Sequence, residues 1–147
     1  MQNIEAIINE LVSVLKIKKR PVINFLAQNL MPTATMMAAI SNDGEELVLS
    51  QNLKKENYAT IWLVLSHEMR HAWQIEKGIF LESEYVQRSA SASVVDYNSQ
   101  KLEVDAWAFA SIMVEEKFGF KPKLNKFFNE EIIELIDMQI LELKRFF

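Results

Sequence analysis

Two histidines four residues apart, with a glutamate directly after the first, are the residues of this chain best suited to chemistry. They are His67 and His71, the only histidines in the sequence, and Glu68 completes an HExxH pattern. Residues four apart on an α-helix lie on one face, so both imidazoles can bind one metal ion. Such pairs hold Zn²⁺, which acidifies a bound water, and an adjacent carboxylate can accept its proton. The pattern predicts a zinc hydrolase with Glu68 as general base; the alternative is a helix with two structural histidines.

A third metal ligand is needed, because a catalytic zinc ion usually has three protein ligands. No histidine or cysteine remains, which leaves the carboxylates. The candidates after the HExxH pattern are Glu76, Glu82, Glu84, Asp96, Glu103, Asp105, Glu115 and Glu116. Glu103 is favoured because it shares a helical face with Ala106 and Ala110, whose small side chains allow close packing against the HExxH helix. The alternative for this residue is an exposed glutamate near a helix N-terminus.

Helices are expected to form most of the structure. Apolar residues recur at helical spacing over residues 3–19 and again over 56–77, so that the HExxH pattern falls in the last turns of the second helix. A third helix is expected over 99–118, ending before a glycine. Asn129 is a good N-cap for a last helix that continues to the C-terminus.

A single turn signal predicts the sheet. Residues 42–45, Asn-Asp-Gly-Glu, separate two strand-like segments, 36–41 and 46–50, and Asp-Gly provides the positive φ angles of a hairpin turn. Residues 82–100 have no clear apolar period and are interpreted as a connector over the site. The expected fold class is α+β, mainly helical with a small antiparallel sheet, in one domain of residues 1–147.

The composition excludes several kinds of partner and site. The 147 residues carry a net charge of −4 and are 50% hydrophobic, which argues against strong electrostatic binding to nucleic acid or to a membrane. The one basic cluster, residues 16–20, is interpreted as the solvated end of the first helix. Without cysteine the chain forms no disulfide and offers no thiolate. The lack of a signal-peptide pattern and of a long apolar run favours a cytoplasmic protein.

Two segments of the chain carry a family resemblance. They are LSHEMRHAWQ at 65–74 and EVDAWAFA at 103–110. Together they resemble the gluzincin clan of zinc metallopeptidases, and most of all the minigluzincins and the ImmA/IrrE-type peptidases of bacteria and phages. The second motif of that group runs E-x-x-A-x-x-F-A, and this chain matches it at Glu103, Ala106, Phe109 and Ala110. The resemblance covers roughly residues 36–114, and the first and last helices carry no motif.

The resemblance implies a fold, a ligand set and an activity. The fold would be zincin-like, with the HExxH helix packed against the glutamate helix. The zinc ligands would be His67, His71 and Glu103, and Glu68 would be the general base that activates water for peptide hydrolysis. The partner would be a protein or peptide substrate, with a regulatory protein as one option, since ImmA-type proteins act on transcriptional repressors. An extended substrate is expected to pair with the strand edge at 46–50.

The chain departs from the family pattern at one position. Many gluzincins have an aspartate four residues after the ligand glutamate, where it hydrogen-bonds a zinc histidine, but here that position is Trp107. Asp105 is nearby but lies on a different helical face. Either a backbone carbonyl orients His67 or the metal is bound less tightly. Arg70 and Trp73 point away from the ligand face, so packing and ion pairing are expected of them rather than substrate contact.

Other roles remain open at this stage. Tyr97 is the first candidate for stabilising the oxyanion, because it shortly precedes the glutamate helix, and Tyr85 and Arg88 are alternatives. One alternative function is a zinc-containing regulatory or protein-binding module with little or no peptidase activity. Hydrolysis of another amide, such as a peptidoglycan stem, is a third. The sequence does not predict the oligomeric state.

Overall fold

The structure is a computed structural model that describes residues 3–79 and 100–147. Within these ranges it contains four α-helices around a three-stranded sheet, which confirms the mainly helical α+β class. In chain order the elements are α1 (Ile4–Leu15), β1 (Val22–Leu26), β2 (Ala38–Ile40), β3 (Glu46–Ser50), α2 (Tyr58–Glu76), α3 (Lys101–Phe118) and α4 (Glu130–Leu143), with short 3-10 helices at Gln28–Leu30 and Gln51–Lys55.

The first helix is shorter than its apolar pattern predicted. Asn3 caps its N-terminus, because the Asn3 side chain accepts a hydrogen bond of 2.7 Å from the amide of Ala6. The helix ends at Leu15, since Lys16 adopts a left-handed conformation with φ 56°. The prediction of a helix over 3–19 was therefore wrong at its C-terminal end. The basic cluster lies beyond the helix, and the backbone amides of two of its lysines bind Glu76.

The sheet is mixed, not antiparallel as expected. The predicted hairpin forms, since β2 pairs antiparallel with β3 around a turn in which Gly44 has φ 74°. A further strand, β1, pairs in parallel with β3 along its whole length, from Val22 opposite Glu46 to Leu26 opposite Ser50. Parallel pairing has no local turn signal, because the two strands are joined by a long crossover. Sequence reasoning therefore had no basis for this strand.

The strand order also excludes one prediction about substrate binding. The order is β1-β3-β2, so β3 is the central strand and is paired on both sides. An extended peptide needs an unpaired edge to add a strand. The expectation that a substrate pairs with residues 46–50 was therefore wrong.

Helix α2 lies at the centre of the fold. Its buried residues include Trp62, Leu65 and Met69, and it packs against α1, β2 and α3. The alanine face predicted for α3 is fully buried, because Ala106 and Ala110 have no exposed surface. Small side chains at this contact let the two helices approach closely, which brings residues of α3 next to the HExxH segment.

Helix α3 ends and helix α4 begins where the sequence predicted, but α4 stops at Leu143 and does not continue to the C-terminus. Helix α3 stops before Gly119, which has φ 76°, and Asn129 caps α4 by accepting a hydrogen bond of 3.0 Å from the amide of Ile132. The buried stripe of α4 consists of Ile132, Ile136, Ile140 and Leu143. No helix in the described parts of the chain has the length and apolar character needed to cross a membrane.

Candidate metal centre

Two helices bring the predicted ligands together. His67 and His71 project from one face of α2, with ring centroids 4.7 Å apart, and both are buried. Glu103 lies in the first turn of α3 and is 1% exposed. One ligand atom from each of these three residues lies within 4.8 Å of the others. This buried His-His-Glu group could hold a metal ion.

The contacts within the group suit a metal in size and chemistry. Nε2 of His67 lies 3.1 Å from one oxygen of Glu103, and Nε2 of His71 lies 2.5 Å from the other. Ligand atoms about 2.0–2.1 Å from a tetrahedral metal are roughly 3.3 Å from one another. The two contacts between a histidine and Glu103 would therefore have to lengthen by less than about 1 Å to admit an ion. Nitrogen and carboxylate oxygen are ligands that zinc accepts.

The electrostatics of the group are those of a buried cation site. Burial lowers the pKa of His67, but the adjacent carboxylates of Glu103 and Glu68 outweigh this effect and raise the pKa to about 10. The pKa of His71 is also raised, since attraction by Glu103 outweighs burial. Burial raises the pKa of the Glu103 carboxyl, but the two imidazoles hold it well below its usual range. In the metal-free protein a proton thus provides the positive charge that this carboxylate requires.

Metal uptake is therefore expected to release protons. A histidine must lose its proton to bind a metal, and with a pKa of about 10 His67 is protonated at neutral pH. We expect about one to two protons to be released per metal bound, and an apparent affinity that rises roughly ten- to a hundredfold per pH unit near pH 7. Isothermal titration calorimetry in buffers of different ionisation enthalpy measures this number. A binding enthalpy that does not depend on the buffer would contradict the expectation.

Glu68 lies beside the group and is not a member of it. One of its oxygens is 3.1 Å from Nδ1 of His67, on the opposite side of the ring from Glu103. Its side chain is 12% exposed, so Glu68 is largely buried, and its contact is with the edge of His67 that faces away from Glu103. Its role as a base stays a prediction. The oxyanion candidates, Tyr97 and its alternatives Tyr85 and Arg88, lie outside the described residues.

Trp107 fixes His67 by packing. Its ring stacks on the imidazole of His67 with centroids 4.1 Å apart and an angle of 26° between the planes. Phe128 contacts the indole edge-on at 5.4 Å. Among the described residues, Glu68 is the partner of Nδ1 of His67. A backbone carbonyl therefore does not orient this ring. An aromatic side chain, Trp107, therefore packs on His67 at the position where many gluzincins have an aspartate.

Sequence reasoning missed the residue that contacts Nδ1 of His71, which is Gln74, and the hydrogen-bond network behind it. Oε1 of Gln74 lies 2.8 Å from Nδ1 of His71, and the Gln74 amide nitrogen donates to Asp105 at 2.8 Å. Asp105 also binds Arg70, at 2.7 and 3.2 Å, which confirms the ion pairing expected of Arg70. The Arg70 guanidinium lies 3.8 Å over the ring of Trp73. A glutamine three residues after a ligand, on an apolar helix, was the one signal in the sequence that pointed to this network.

The chain was compared with models of protein families, with curated proteins and with solved structures, and none of the three comparisons found a match. The gluzincin resemblance thus remains a prediction from the two motifs.

Proposed function

We propose that this protein is a zinc-dependent metallopeptidase that hydrolyses peptide bonds in a protein or peptide substrate. One observation carries the proposal: Nε2 atoms from both histidines of the HExxH pattern converge on the carboxylate of Glu103 in a buried site. Glu68 contacts the same His67 ring at Nδ1, across the imidazole from Glu103, and would turn toward the attacking water to act as the base.

The composition of the group supports a catalytic zinc over a structural one. Structural zinc sites are almost always closed by four protein ligands, whereas catalytic sites use three and keep one position open. Within the described ranges the group has three members, His67, His71 and Glu103. Two imidazoles and one carboxylate form a common ligand set of catalytic zinc, and a base beside the metal would have no use in a closed site.

The residues have distinct roles in the proposed reaction. Zinc, when bound, acidifies a water molecule and polarises the substrate carbonyl. His67 and His71 would hold the ion through Nε2, and the carboxylate of Glu103 would be the third ligand and neutralise one of its two charges. Glu68 accepts the proton of the attacking water and passes it to the leaving amine. Trp107 keeps the ring of His67 in place during these steps.

A second candidate function is a zinc-containing regulatory or protein-binding module with little or no peptidase activity. It is favoured by the outer face of α4 and the C-terminus, where large apolar residues are exposed. Leu135, Met138, Leu141 and Phe146 are between 38% and 77% exposed. Exposed apolar surface of this kind is typical of protein contacts. Loss of cleavage in a Glu68 variant would support the peptidase, whereas a wild type that binds zinc but cleaves no peptide would favour the module.

Zinc content tests the metal centre. We expect about one zinc per wild-type chain, measured by elemental mass spectrometry after purification in metal-free buffer. Glu103→Gln preserves the size of the side chain but removes its charge, and should lose most of the zinc. Glu116→Gln is the matched control, because Glu116 is exposed on the same helix. A folded wild-type protein that takes up no zinc would overturn the proposed function.

A further inference from the structure

We propose that Gln74 is a positioning residue that sets the tautomer of His71, so that Nε2 of His71 is the nitrogen offered to the metal. This inference rests on the proposed metal centre. It concerns a residue that the HExxH pattern and the second motif do not include.

The hydrogen bonds of Gln74 determine which way its amide points. The side chain is almost fully buried, with 1% exposure, one turn after His71 on α2. Its Nε2 lies 3.0 Å from the carbonyl oxygen of Leu102 and 2.8 Å from Oδ2 of Asp105. Both partners can only accept hydrogen bonds, so the NH₂ group must face them. The reversed amide would place its oxygen against two other oxygens, which a buried site does not tolerate.

The orientation of the amide then decides the protonation of the imidazole. With the NH₂ group facing Leu102 and Asp105, Oε1 of Gln74 faces Nδ1 of His71 at 2.8 Å. An amide oxygen can only accept, so Nδ1 must carry the hydrogen. In a neutral imidazole the lone pair is then on Nε2. Nε2 is the atom that lies 2.5 Å from Glu103, where a metal would be held.

Asp105 is held by donors from two other helices. Arg70 of α2 donates from Nε and Nη2, and Gln139 of α4 donates at 3.0 Å to the other carboxylate oxygen. The carboxylate therefore cannot turn away from Gln74 without losing several charge-assisted hydrogen bonds. Asp105 thus acts on His71 through the amide of Gln74. No carboxylate contacts a histidine from position 107, because that residue is tryptophan.

Gln74→Met tests the inference, because methionine fills a similar volume without hydrogen-bonding to the imidazole. We expect zinc affinity, measured by competition with a chelator, to fall by about 10–100-fold. Gln28→Met is the matched control. Gln28 also joins a backbone carbonyl, that of Met36 at 2.9 Å, to a side-chain hydroxyl, that of Ser50 at 2.5 Å. This control removes a comparable amide contact that does not involve His67, His71 or Glu103, so zinc affinity should stay at the wild-type value.

A spectroscopic measurement on the wild type needs no variant. The chain has only two histidines, so a long-range ¹H–¹⁵N spectrum of the zinc-loaded protein contains two imidazole patterns. We expect His71 to carry its proton on Nδ1, with slow exchange. In Gln74→Met that exchange should accelerate while the His67 pattern stays the same.

The outcomes separate the two proposals. Unchanged zinc affinity in folded Gln74→Met, or a wild-type His71 protonated on Nε2, would overturn the role of Gln74 and leave the metal centre intact. A wild-type protein without zinc would overturn the metal centre.

Discussion

Replacing Glu68 with glutamine is expected to lower peptide hydrolysis by about 10²–10⁴-fold, the usual contribution of a general base. The reason is specific to proton transfer. Glutamine has the same size and still offers an oxygen to Nδ1 of His67, so the 3.1 Å contact can persist. Its amide cannot accept the proton of the attacking water. Because Glu68 lies outside the His-His-Glu group, zinc content should stay near that of the wild type.

The measurement pairs kcat/KM with zinc per chain. Cleavage of an internally quenched peptide library is followed for wild type, Glu68→Gln and the control Glu116→Gln, and zinc is determined on the same samples. Loss of cleavage with retained zinc is the expected pattern. If the Glu68→Gln protein keeps both its zinc and its activity, the proposal that Glu68 is the general base is wrong. If the wild type binds zinc but cleaves no peptide, the protein-binding module becomes the better proposal.

Replacing Asp105 with alanine is expected to destabilise the fold by about 3–5 kcal/mol, the cost of leaving one member of a buried ion pair alone. The side chains of Arg70 and Asp105 are 6% and 14% exposed. Without the carboxylate, the guanidinium stays buried against the rings of Trp73 and Phe109 and loses the anion that pairs with it. Gln74 and Gln139 each lose an acceptor as well. Chemical denaturation followed by circular dichroism measures the change in the free energy of unfolding.

Two further variants make this prediction specific. Asp137→Ala breaks the ion pair between Asp137 and Lys121, and both side chains are about half exposed. This variant should change the free energy of unfolding by about 0–1 kcal/mol. The double variant Arg70→Met with Asp105→Leu removes both buried charges and should recover most of the stability lost in Asp105→Ala. A small effect of Asp105→Ala alone would mean that the network contributes little to the fold. The same variant should also weaken zinc binding, because Gln74 would lose its anchor.

Several parts of the molecule were predictable because they depend on neighbouring residues. The spacing of His67 and His71 fixes their common face on any helix, whatever the rest of the fold does. The Asn129 cap, the stop at Gly119 and the hairpin turn follow in the same way from the backbone preferences of single residues. These predictions were confirmed.

The prediction of Glu103 needed more than local rules. The eight candidate carboxylates between residues 76 and 116 are not distinguished by their spacing alone. The alanine face of α3 favoured Glu103, because helices lined by small residues pack closely, and the family motif pointed to the same residue. The structure places Glu103 against both imidazoles. It thereby confirms the position of the residue, while its role as a zinc ligand stays a proposal.

The sequence by itself determined the pair of imidazoles, the carboxylate beside them and most helix ends, because these follow from contacts within a few residues. Only the tertiary structure decided the parallel pairing of β1 with β3, the loss of the expected open edge and the partners of His71. Each of these requires segments far apart in the chain to meet: Asp105 from α3, Gln139 from α4 and Gln74 from α2 converge on one small volume. The spacing of residues within one helix cannot predict these contacts, because they depend on how the helices pack around α2.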